Sequence, residues 1–253
     1  MSHIPPLDPN VAAAKGFREP GDRPKRFWKA AGVAEVEGGH AVQLDGRTPK
    51  TPAGRPLVLP TAETARRVAA EWDRQTEVIE PATMPATRLA STALDAVCLA
   101  REAVADEIAA YAGTDLICYP AEAPTSLRAR QDAEWGRWRN WAAEHGIRLE
   151  PGSGIVHRAQ SPEALARVKA LALELDDFAL TGLASLVPMY GSAILALAVL
   201  KGALSAEAAH DLSRLDEAFQ ESQWGIDAEA AERTAAIRAE AMEIDAWFRA
   251  LGL

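Results

Sequence analysis

The sequence predicts an α+β fold, a small antiparallel β-rich N-terminal domain followed by a larger all-helical C-terminal domain. Three observations carry that prediction. The turn dipeptides Gly38-Gly39 and Asp45-Gly46 separate short apolar runs between Phe27 and Pro60, as hairpin turns that need positive φ do. From Thr61 onward, apolar residues recur at helical rather than alternating spacing. After Ser161 the whole chain to Leu253 reads as helix.

In chain order, residues 1–24 carry Pro and Gly punctuation without apolar periodicity and are expected to be an extended tail. A three-run meander follows, ending at Pro56-Leu57-Val58-Leu59-Pro60. Thr61 is an N-cap residue, and Glu63, Val68, Ala69 and Trp72 continue a helix near 61–76. Pro81 and Pro85 bracket an extended link, which places the domain boundary near 85 and gives domains of 25–85 and 86–253. Helices are expected over 87–112 and 125–145. Between them, Leu116 to Tyr119 reads as a short strand or a buried turn. Gly146 to Leu149 is a candidate strand within a Gly-rich connection ending at His157. Ser161-Pro162-Glu163 opens the next helix with cap, first-position proline and dipole-matched acid.

Phe178 to Leu200 holds no charged residue and is long enough to cross a bilayer. It is rich in small residues and interrupted by Pro188 and Gly191, so two short buried helices joined near Pro188 are expected, with no membrane insertion. Ser205 and Asp227 are the expected N-caps of the last two helices. Along the last one, Ala230, Thr234, Ile237, Ala241, Ile244, Phe248 and Leu251 form one apolar seam for packing within the chain.

Composition excludes several functions. A net charge of −9 argues against nucleic acid as a partner, since phosphate binding requires a basic surface. Charge is uneven: residues 203–253 carry four Lys/Arg against eleven Asp/Glu, whereas residues 1–60 carry nine against six. Cys98 and Cys118 sit among apolar neighbours and are expected to be buried and reduced. No apolar signal opens the chain, and arginine outnumbers lysine among the basic residues. A bacterial, cytoplasmic protein is the expectation.

No catalytic constellation, cofactor loop or metal-ligand cluster is readable. A Gly-rich phosphate loop, a nucleophile elbow and paired histidines at metal-ligand spacing are all missing from the sequence. His3, His40, His145, His157 and His210 are scattered. The adjacent carboxylates Asp176-Asp177 and Asp216-Glu217 point about 100° apart on a helix and do not converge. The protein is therefore expected to be a non-enzyme without cofactor. Aromatic placement stands out instead. Trp135, Trp138 and Trp141 spread over about 120° of one helix, so at least one should lie at a boundary. On the helix from Ser205, Leu204, Ala208, Leu212, Leu215 and Phe219 form the expected inward face. His210, Arg214, Glu217 and Glu221 form the outward stripe. If that helix continues, Trp224 lies on the same side as Glu217 and Gln220, an interface-like grouping.

Several stretches together resemble a known family. They are Arg26-Phe27-Trp28-Lys29, the run from Leu44 to Pro52, Glu71-Trp72-Asp73-Arg74-Gln75, Met84-Pro85, the run from Thr114 to Tyr119, and Leu212 to Gln220 leading to Trp224-Gly225. In number and order they resemble the assembly chaperones for the α subunit of the F-type ATP synthase catalytic head. The resemblance implies a β domain followed by a helical domain. It also implies a protein that holds the unassembled α subunit, prevents its aggregation and yields it to the β subunit, and a monomer is the separate expectation. The family's acidic helix motif lands on Glu217, with Gln220 and Trp224 beside it and Asp216 and Arg214 adjoining. Ala218 departs from the more acidic pattern of eukaryotic relatives, and nothing is implied for the last helix. The residues alone also admit an adaptor with another client or an enzyme using an interdomain cleft.

Overall fold

A computed structural model describes residues 24–152 and 158–253. The expected tail lies outside these residues except for Pro24, as do His3 and His157. Strands β1 (Ala31–Val36), β2 (Gly39–Leu44) and β3 (Val58–Leu59) form one antiparallel sheet in that order, with Ala34 opposite Ala41 and Ala41 opposite Val58. Only glycine fits the first turn: Gly39 has φ +145°, and a Cβ there would stand 2.4 Å from the Leu59 carbonyl oxygen. At the second turn the Asp45 carboxylate accepts the backbone N–H groups of Lys29 and Ala30. Those bonds, with the Ala30 contribution largest, hold its carboxyl below the usual range.

Helix α1 (Ala62–Asp73) covers the sheet, burying Ala65 and Val68 near Val42, Leu57 and Leu59. Thr61 caps it reciprocally with Thr64, and its hydroxyl also donates to the Ala250 carbonyl at 2.7 Å. The end of α1 is a clasp. Arg26 donates to the carbonyls of Trp28, Lys29, Asp73 and Gln75. Glu71 is buried, yet its carboxylate accepts from Ala86 N–H, Thr87 N–H and the Thr87 hydroxyl at 2.7–2.8 Å. It thereby supplies the N-terminal cap that α2 (Pro85–Thr92) lacks from its own neighbour, Met84.

The predicted 87–112 helix is α2, a π-turn at Ala93–Val97 and α3 (Cys98–Gly113). Asp95 on the π-turn accepts from the Thr51 hydroxyl and Ala53 N–H, fixing the loop after β2. Cys98, expected to be buried, is only half-buried, with the Arg55 guanidinium 3.0 Å from its sulfur, whereas Cys118 is fully buried as expected. The 116–119 segment is a 3₁₀ turn, Leu116–Cys118. α4 (Thr125–Glu144) buries Trp135 and Trp138 and leaves Trp141 half-buried against His145, so the tryptophan row is core with one boundary member. Gly146 to Leu149 is not a strand: it pairs with no strand among the described residues, and a turn bond from Ile147 N–H to the Ala142 carbonyl closes the helix end instead.

After α5 (Pro162–Leu173), the uncharged stretch forms α6 (Asp177–Tyr190) and α7 (Ala193–Leu200). All eight residues of α7 are buried, which accounts for its lack of an amphipathic pattern. The break comes at Gly191 (φ +59°) and the capping Ser192, not at Pro188, which stays within α6. Asp115, fully buried, accepts from Ile117 N–H and from Ile194 N–H at the start of α7. Burial pushes its carboxyl up to about 6 despite these bonds. Among the described residues no helix is long and apolar enough to cross a membrane.

The chain ends in α8 (Ala206–Ser213), α9 (Leu215–Trp224) and α10 (Ala228–Leu251). The expected caps hold: Ser205 and Asp227 accept from Ala208 N–H and Ala230 N–H. The α10 seam is buried only from Ala241 through Ile244 to Phe248, and Ile237 is exposed. At its buried end Phe248 and Trp247 lie against Gly182 of α6, where a Cβ would come within 2.5 Å of the Phe248 ring. One buried cluster runs from the sheet residues Val42 and Leu59 to Ile244 and Phe248.

Candidate functional site

The stretch from Ser205 to Trp224 is two helices, not one. Arg214 (φ −117°, ψ 24°) leaves helical geometry between α8 and α9. The break rotates the two halves relative to the expected stripe. His210, expected outward, is 3% exposed, because α8 packs on α7 and α10 at once. Ala206 and Ala209 share that buried face, while Leu204, Ala208, Leu212 and Phe219 of the expected inward face are half-buried. α8 is further tied to α4 by Trp135, whose indole donates to the Leu212 carbonyl at 2.9 Å.

On α9 only Leu215 is buried. Arg214 is half-buried and donates to Glu221 at 2.6 Å, across two turns. Asp216 is partly exposed and Glu217 and Gln220 are exposed. These three make no side-chain hydrogen bond or ion pair among the described residues. Trp224 is 80% exposed, which is unusual for the residue type with most to gain from burial. Gly225 (φ +90°) then turns the chain, and Ile226 is 71% exposed. Of the five expected residues, the structure pairs Arg214 with Glu221. It leaves Asp216, Glu217, Gln220 and Trp224 separately open to solvent on the same short helix.

Sequence reasoning did not find the groove beside this helix. It lies between α8–α9 and the first half of α10 and is an open cleft of about 390 Å³. Its α10 wall carries Ala231, Ala235 and Ala239, and Ile226 and Met242 also line it. Opposite stand His210, Arg214 and Glu221. Arg238 spans the gap, bonded to Glu207 and 3.7 Å from Asp211. The alanine spacing was legible, but that it faces a space rather than a neighbour depends on the α8–α9 break. Burial first, and the nearby Arg214 charge second, hold the His210 imidazole below its ordinary range. Among the described residues no group of histidines, cysteines and carboxylates converges to hold a metal ion.

Comparison with known proteins concerns the chain as a whole, and the family model ends before this face. The family model described as ATP12 chaperone protein matches residues 25–143. Protein atp12, mitochondrial, from Schizosaccharomyces pombe is 26% identical over 214 residues, covering 79% of this chain and 74% of that protein. The crystal structure of Atp12 from Paracoccus denitrificans matches with a TM-score of 0.86 at 40% identity, covering 90% of this chain and 98% of that one. The Atu1473 protein from Agrobacterium tumefaciens matches with a TM-score of 0.84 at 38% identity, covering 96% and 91% of the two chains.

Proposed function

The chain belongs to the ATP12 chaperone family, and on that premise we propose that it binds the unassembled α subunit of the F-type ATP synthase, prevents its aggregation and yields it to the β subunit. An α subunit without its partner exposes apolar surface that the assembled complex covers, and such surface drives aggregation. A holding protein must cover it without outcompeting the true partner. A few aromatic anchors within a polar rim suit that requirement better than a broad apolar face.

The observation that carries the reading is Trp224, 80% exposed on the same short helix as the unpaired carboxylates of Asp216 and Glu217 and the Gln220 amide. Trp224 supplies the anchor, and Glu217 and Gln220 supply polar contacts that water satisfies until the client arrives. Arg214, held by Glu221, braces the first turn of α9. The activity is holding and release without catalysis, by a monomer in the bacterial cytoplasm.

The test is co-expression with the organism's own α subunit. Soluble α that co-purifies, and is released when β is added, is the expected result. Glu217→Lys should reduce the co-purified α about tenfold without changing the circular dichroism of the chaperone. Equal recovery with that variant would remove Glu217 from the contact, and insoluble α with no complex would overturn the reading.

A further inference from the structure

Resting on that reading, we infer that the groove between α8–α9 and the first half of α10 seats one basic amphipathic segment of the client. Its apolar residues would enter the gap beside Ala231, Ala235 and Ala239, with its lysines and arginines on the carboxylate rim.

Three independent features point to an occupant. The first is packing. The α10 wall presents methyl groups to an open cleft of about 390 Å³, at the lower end of the size range of ligand-binding clefts. Ile226 and Met242, 71% and 49% exposed, stand along it as uncovered apolar contacts.

The second is unsatisfied polarity. His210 is 97% buried, judged from its 3% exposure, and its Nδ1 has no hydrogen-bond partner among the described residues. Asp211 Oδ1 is the nearest acid, at 3.8 Å. The Arg238 Nε–H, buried in the same groove, has no acceptor either. A buried polar atom without a partner is costly, and two of them beside one space mark the groove wall as incompletely satisfied.

The third is charge. Arg214 and Arg238 are already matched by Glu221 and Glu207, and Asp211 adds a further carboxylate to the lining. Around them the last 51 residues carry eleven acids against four bases. The complementary segment is basic, and electrostatic attraction of that kind weakens with salt.

The decisive comparison uses the full chain and the organism's α subunit, with α retained on the immobilised chaperone measured at low and high NaCl. Ala235→Trp fills the groove from an exposed helix position. Expected is a loss of retained α of about tenfold or more, with an unchanged melting temperature, while wild-type retention falls as salt rises. Ile226→Asp, in the exposed turn before α10, repeats the comparison if Ala235→Trp fails to fold. Full retention by both folded variants overturns the groove and leaves the chaperone reading standing. No retention by the wild type overturns both. A wild-type dimer in sedimentation that Ala235→Trp dissolves would give the groove to a second copy of this chain and overturn the client assignment.

Discussion

Two of the stretches that carry the family resemblance behave in opposite ways. Glu71 to Gln75 spends its polar groups inside the molecule: Glu71 caps α2, the Gln75 amide bonds to Glu71 O, Thr83 and Glu80, and the Asp73 carbonyl receives Arg26. Leu212 to Trp224 leaves Asp216, Glu217, Gln220 and Trp224 to solvent. Asp115, in a third such stretch, sides with the first. The difference separates motifs that build the scaffold from the one whose side chains stay open to solvent. A polar group satisfied internally has little left to offer a partner, whereas a large aromatic kept out of the core is available for one.

The contrast breaks most visibly at Asp115. Asp115→Ala strands the N–H groups of Ile117 and Ile194 in a dry interior and should cost about 3 kcal/mol of stability, read from urea unfolding. A loss below about 1 kcal/mol would mean that Asp115 does not hold the start of α7 in place.

A smaller effect sharpens the boundary between the two regions. His210 belongs to the buried side but lines the open groove, and its ionisation is depressed by burial and by Arg214. The unfolded chain therefore takes up a proton near pH 6.5 before the folded one does. The imidazole's contribution to stability is present above pH 6.5 and is lost as pH falls through the depressed value. Asp115 runs the other way, because its raised carboxyl binds a proton near pH 6 in the folded state before the unfolded state does, so its contribution improves on acidification. Between pH 7.5 and 5.5 the melting temperature of wild type should fall relative to that of His210→Gln. A constant difference across that range would place a solvated imidazole at this position.

The smallest expected effect on stability is at the exposed end of α9, which we propose faces the client. Trp224→Ala should change unfolding free energy by no more than about 0.5 kcal/mol, while lowering α-subunit binding about tenfold. A large loss of stability with normal binding would move Trp224 to the scaffold.

What the sequence reveals follows the range of the forces involved. The turns at Gly39 and Asp45 and the caps at Thr61, Ser161, Ser205 and Asp227 rest on neighbours a few residues away, and each is where local chemistry puts it. The break at Arg214, the burial of His210 and the role of Trp247, whose indole donates to the Phe178 carbonyl, depend on helices far away in the chain. No spacing rule reports those. The exposed side chains of α9 were legible because polar residues and one aromatic recur on a helical period. The groove was not, because an alanine stripe reads the same whether it packs tightly or faces empty space.

The contact between Phe248 and Gly182 has a mechanical meaning. α10 has 24 residues and is clamped near its far end, while its first three turns rest lightly on α8 and α9. A rod of that kind is a cantilever. With a rise of 1.5 Å per residue, the arm from Ala228 to the first buried residue, Ala241, is about 20 Å long, and a tilt of about 5° where burial begins moves its tip by about 2 Å. The width of the groove can thus change by about the radius of a methyl group while every residue of the interior stays where it is.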